Sequence, residues 1–159
     1  MSPMDPIAHG LLGALVAKSG GVGKNRSVWF LAGVAECPDF DCLAWGSSGI
    51  SILWQHRSGL THSFAAAAFF ALPFACLLSR WDGWRLGRSW ALVFAVLASH
   101  VVGDWLTTYG TPVFFPFLWA NYSLDWIGNL SWVPIAIIGL GLWFGWRRGS
   151  ARIFKSVWL

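Results

Sequence analysis

Of 159 residues, 56% are apolar and only 11% are charged, and the mean hydropathy is +0.56, which excludes an ordinary water-soluble domain, where about a quarter of residues carry charge. A formal net charge of +4 is no argument for nucleic acid as a partner, because basic residues in so apolar a chain mark cytoplasmic loops. Thirteen tryptophans suit the boundary between acyl chains and water. The composition therefore reads as an all-α, polytopic membrane protein, one domain over residues 1–159, with about four to five transmembrane helices of about 20 residues each.

The segment Met1 to Gly10 lacks a cationic start and carries Asp5 and His9, so it is expected to belong to the fold rather than to a cleaved signal. The first apolar stretch, Ile7 to Ala17, is short for a span. Its Gly10, Gly13 and Ala17 put small residues at helical spacing, which suits close helix contact. After a turn at Gly20-Gly21-Val22-Gly23 comes Val28 to Trp45, interrupted by Glu36 and by Pro38-Asp39-Phe40-Asp41. Pro38 disfavours helical geometry at Cys37, so a helix from Val28 should end there. Phe64 to Leu78 forms the third stretch, with Thr61 a candidate N-cap. Trp90 to Thr107 and Leu130 to Trp146 are the fourth and fifth. Cys37, Cys42 and Cys76 make neither a paired framework nor a CxxC motif and read as buried small hydrophobes, with a Cys37 to Cys42 disulfide open to an oxidising compartment.

Basic residues fall in alternate connections: Lys18, Lys24 and Arg26, then Arg80, Arg85 and Arg88, then Arg147, Arg148, Arg152 and Lys155. Arg57 is the sole exception. The positive-inside rule then predicts five crossings, with the N-terminus outside and the C-terminus inside.

Ionisable groups in such a chain are costly and mark function. His100 and Asp104 lie four residues apart in a helical run, as do Asp5 and His9, and positions i and i+4 share a helix face. Asp39 and Asp41 flank Phe40 on backbone that Pro38 keeps from helix, so both can point at one cation. His56-Arg57-Ser58-Gly59-Leu60-Thr61-His62-Ser63 supplies two imidazoles suited to zinc, manganese or iron, and an Arg57 that can pair with an anionic oxygen. Under the predicted topology all these groups reach the non-cytoplasmic side. The expected metal ligands are His9, Asp39, Asp41, His56, His62, His100 and Asp104, and the expected catalytic residues are Asp41, Arg57 and Asp104. So many ligands suit one or two divalent ions, zinc before manganese or iron, and a metal-activated water.

Asp5-Pro6 with His9-Gly10, Pro38-Asp39-Phe40-Asp41, His56-Arg57 with Thr61-His62-Ser63, and His100 to Asp104 followed by Thr107-Thr108-Tyr109-Gly110-Thr111-Pro112 together resemble the LexA-regulated, membrane-bound metal-dependent hydrolase family of bacterial inner membranes. The resemblance spans about residues 4 to 126. It implies hydrolase chemistry, with a distant likeness to zinc-dependent phospholipase C, in a multi-pass bacterial inner-membrane protein. The chain departs from it at Ile127-Gly128-Asn129, where such proteins often carry an Asp-Pro pair. The expectation is therefore hydrolysis of a phosphoester or lipid-like ester, with membrane lipids and an anionic substrate as partners. The alternatives are a transporter or ion-handling protein using the same His/Asp cluster, and a metal-stabilised scaffold. On this topology a reporter active only in the cytoplasm, fused after Trp54, should be silent; activity there would overturn the predicted orientation.

Overall fold

The computed structural model describes residues 6–40, 60–108, 110–126, 136–141 and 143. Its main elements are four α-helices and one 3-10 turn: α1 (Pro6–Ser19), α2 (Asn25–Ala35), the 3-10 turn Cys37–Phe40, α3 (Phe64–Asp82) and α4 (Leu86–Trp105). Among the described residues the one β pairing is an isolated bridge between Thr111 and Tyr122.

Local chemistry sets the helix ends. Pro6 opens α1 at a position where its missing N–H costs nothing. Gly21, at φ 84°, turns the chain out of α1 in the left-handed region open to glycine, and the Val22 N–H returns to the Ala17 carbonyl at 3.1 Å. The α2 helix stops at Ala35, as Pro38 requires, and the chain tightens into the 3-10 turn carrying Asp39. Ser63, not Thr61, caps α3: its Oγ accepts from the Ala66 N–H at 3.1 Å. Gly83, at φ 71°, closes α3, its N–H donating to the Ser79 carbonyl.

The α3 helix packs on α4, and α1 packs on both α2 and α4. On α3 the buried stripe is Ala67, Ala71, Ala75 and Leu78, a spacing of three to four residues that keeps one helix face turned inward. It meets Val93, Val96 and Leu97 of α4 in the shared core. Trp90 reinforces this pairing by donating its indole N–H to the Ala68 carbonyl at 3.0 Å. Between α1 and α2 the contact is closer still. A Cβ on Gly13 would stand 2.5 Å from the Ala35 Cβ and 3.2 Å from the Leu31 carbonyl oxygen, so only glycine fits. A Cβ on Gly20 would run into Leu92 of α4.

One end of the bundle is basic. Lys24 pairs with Asp82 at 3.1 Å and donates to the Trp81 carbonyl at 2.8 Å, while Ser27 donates to the same Asp82. Arg26 also donates to the Trp81 carbonyl, and Arg88 lies 3.9 Å over the Trp84 ring. These contacts fasten the start of α2 to the end of α3.

Among the described residues two helices, α3 and α4, are long and apolar enough to cross a membrane, fewer than the expected four to five. At 1.5 Å per residue, α4 is roughly 30 Å long, whereas α1 and α2 reach only about 21 and 16 Å. Of the fifth stretch only residues 136–141 and 143 are described, and they are helical. Cys76 is exposed on α3 and Cys37 half-buried, both as free thiols, so burial does not account for either as expected; Cys42 lies outside the described residues.

Because overfilling a packed contact costs about 1–3 kcal/mol, Gly13→Val should lower the thermal unfolding midpoint of the detergent-purified protein. An unchanged midpoint would mean that α1 does not depend on this approach.

Candidate metal centre

The ends of α1, α2, α3 and α4 opposite the basic cluster converge on five ionisable side chains. His9 comes from the first turns of α1, Asp39 from the 3-10 turn after α2, His62 from just before the Ser63 cap, and His100 and Asp104 from the last turns of α4. His9, His62, His100 and Asp104 are completely buried and Asp39 is partly so.

Their distances define a cage. His62 Nε2 lies 3.3 Å from Asp39 Oδ1 and 3.6 Å from Asp104 Oδ2; His100 Nε2 lies 3.6 and 3.5 Å from the same two oxygens. One donor atom from each of these four residues fits within 4.8 Å of all the others. Charge-assisted hydrogen bonds run to about 2.7–2.9 Å, so the contacts are long for such bonds, although His62 Nε2 and Asp39 Oδ1 do share a hydrogen bond at 3.3 Å. Donor atoms placed tetrahedrally at about 2.0–2.1 Å from an ion stand roughly 3.4 Å apart; the four His-to-Asp separations lie near that value, and the His-to-His and Asp-to-Asp separations lie within 4.8 Å.

Polar satisfaction points the same way. Both ring nitrogens of His9 and of His100 are buried without a hydrogen bond, and an unsatisfied buried group costs about 1–3 kcal/mol. His62 is oriented through its other nitrogen, Nδ1, which shares a 2.8 Å hydrogen bond with the Thr61 hydroxyl. That leaves Nε2 facing the cage, the arrangement in which a second partner fixes a ligand's tautomer.

His9 stands at the edge. It lies outside the four-residue group, stacks on His100 with ring centroids 3.8 Å apart, and sets its Nε2 3.4 Å from Asp104 Oδ1. Asp104 thus turns one oxygen to His9 and the other to His62 and His100.

Burial alone would raise the Asp39 carboxyl. The contacts from His100 and then His62, together with the charges of His100 and His9, outweigh it and hold Asp39 well below the usual carboxylate range.

Of the sequence-predicted residues, the structure gathers His9, Asp39, His62, His100 and Asp104, while Asp5, Asp41, His56 and Arg57 lie outside the described residues. One participant, Thr61, escaped sequence reasoning, and its adjacency to His62 was the available signal.

A helical bundle with two helices long and apolar enough to span a membrane, and a buried His/Asp cage at one end, is the class these features define. The family described as YdjM inner membrane protein matches residues 4–159, and the chain belongs to it. No curated protein and no solved structure matches the chain.

The Asp39 shift sets a pH dependence. A depressed native pKa contributes stability that is fully present above the ordinary carboxylate value of about 3.9 and is lost as pH falls through the lower native value. In metal-free protein, Asp39→Asn should therefore flatten the acid limb of the stability profile below about pH 4, measured by thermal unfolding across pH; an identical limb in both proteins would remove Asp39 from the cage.

Proposed function

We propose that the chain is a membrane-embedded, metal-dependent hydrolase acting on a phosphoester or lipid-like ester. The observation that carries this reading is the set of four His-to-Asp separations between 3.3 and 3.6 Å, the spacing of donor atoms around a small cation. Asp39, His62, His100 and Asp104 would hold the ion. A set of two imidazoles and two carboxylates with no thiolate fits zinc, with manganese or iron as alternatives. His56 and Asp41, which lie outside the described residues, are the sequence's candidate ligands for a second ion.

A divalent ion bound there supplies Lewis acidity, bringing the pKa of water towards about 7 and drawing charge from a phosphoryl or carbonyl oxygen. The chain's own groups divide the remaining work. Asp39, held far below the usual range, is too weak a base to take a proton and is suited to holding positive charge. Asp41 is then the proton acceptor, and Arg57 orients an anionic group of the substrate through its planar donor fork. Asp104 holds the cage together, and His9 fixes the carboxylate of Asp104 from its outer side. On the predicted topology the site faces the non-cytoplasmic side of the inner membrane.

A transport pathway would need polar groups continuing through the bundle. The stretches Ala65 to Leu78 and Ala91 to Ala98 carry no charged residue, and this one-sided distribution favours hydrolysis over ion handling.

Purified protein should contain zinc or another transition metal by elemental analysis, and His100→Ala or Asp104→Ala should lose it. His9→Ala should retain a site weakened about 10- to 100-fold. Turnover of phosphoester and phospholipid substrates should vanish with His100→Ala. Bound metal without turnover of either substrate class would overturn the hydrolase reading, and metal-free protein that stays so on titration with zinc would overturn the cage.

A further inference from the structure

Beside the cage, residues 110–126 form a loop with no place in the chemistry above. It is fastened to the two spanning helices by main-chain bonds. The Phe64 N–H at the start of α3 donates to the Val113 carbonyl, and the Leu124 and Trp126 N–H groups donate to the carbonyls of Trp105 and Leu106 at the end of α4. Its base is closed by the reciprocal Thr111 and Tyr122 pair at 2.9 and 3.0 Å. Phe114 packs edge-on against Trp105 and Tyr122, and Val113 is completely buried. The loop is thus built rather than slack.

What it presents outward is mostly apolar, with Asn121, Ser123 and Asp125 the exposed polar residues. Phe117 and Trp119 are each 83% exposed, Trp126 78% and Leu118 51%. Asp125 is the only charged residue between Gly110 and Trp126. Large apolar groups at a built tip mark an interaction surface. Three observations choose its occupant. The loop is attached at the start of α3, the helix that exposes Phe69, Phe70 and Leu72, side chains that acyl chains cover when α3 spans a membrane. It starts where α4 ends, at the depth where a spanning helix meets the headgroups. Its Trp, Tyr and Phe content without Lys or Arg is that of an interfacial aromatic belt.

We propose that the 110–126 loop lies in the headgroup layer of the bilayer, with Phe117, Leu118 and Trp119 dipping toward the acyl chains. His62 stands two residues before one of its attachment points and Asp104 directly before another. The loop therefore sets the cage at the lipid surface. Taken with the hydrolase reading, on which this last step rests, the substrate is an amphiphile resident in the bilayer rather than a freely dissolved ester.

The location is testable on the unaltered protein, without any activity. The full chain is reconstituted into phosphatidylethanolamine and phosphatidylglycerol vesicles containing a phospholipid with a diazirine near the top of one acyl chain. Adducts are mapped by mass spectrometry, and a water-soluble diazirine reagent is applied in a parallel sample. A phospholipid with its diazirine near the acyl terminus, labelling Phe69 and Phe70, verifies insertion. Lipid adducts at Phe117 and Trp119, several-fold more frequent than aqueous adducts there, are the expected result. Aqueous labelling without lipid adducts would place the loop in water and overturn the proposal. Absence of both labels would also overturn it, because the tip would then be covered by residues 41–59, a second copy or another protein. Loop labelling as expected, in a protein that hydrolyses neither bilayer lipids nor soluble esters, would leave the location standing and remove the hydrolase reading alone.

Discussion

The Asp104 carboxylate is the point on which the described structure turns. Its two oxygens face imidazoles from three separate parts of the chain: His9 on α1, His62 before α3 and His100 one turn back on α4. A fully buried carboxylate is untenable in an apolar bundle unless positive or donor groups surround it. The sequence supplies those groups only by bringing the helix ends together. Burial and site geometry are therefore the same constraint here, since the arrangement that makes Asp104 tolerable also builds the cage.

That constraint gives the bundle a polarity. Lys24, Arg26, Asp82 and Arg88 tie the opposite end through ion pairs, carbonyl contacts and ring stacking, with Lys24 half-exposed. Between the two ends runs a core of Ala, Val and Leu. Small residues on α1 and α3 let the backbones approach closely, and van der Waals packing, rather than water exclusion alone, holds helices in an apolar solvent. Among the described residues charge is thus gathered at the two ends, one tied by ion pairs and one built around the His/Asp cage.

Much of this was legible in the sequence, for local reasons. The four-residue spacing of His100 and Asp104 on an apolar helix specifies a shared face, and Pro38 specifies the break that frees Asp39. The small residues of the first stretch announce a close helix contact, and Gly13 makes one. What was not legible depends on geometry that hydropathy does not carry. Apolar composition says that a segment avoids water but not how long its helix runs, so α1 and α2 read as spans yet are too short to cross unaided. Ser63 and Thr61 are equivalent as candidate caps in sequence, and only the chain's path decides that Ser63 caps while Thr61 turns to His62. His9 looked like an equal ligand because spacing reveals faces, not distances across a bundle.

The close approach of Gly20 to Leu92 carries a consequence for the length of α1. Contact at Gly20 pins one end of α1 against α4, and the His9 contact with Asp104 pins the other. His9 and Gly20 are eleven residues apart, Leu92 and Asp104 twelve, so the two antiparallel segments measure nearly the same roughly 16–18 Å. The short helix acts as a caliper closed on the long one. Side chains along it can be exchanged so long as the close contacts stay small, but a single added or deleted residue would swing His9 about 100° around the helix and open the jaw. The number of residues in α1, more than their identity, is what the cage holds constant.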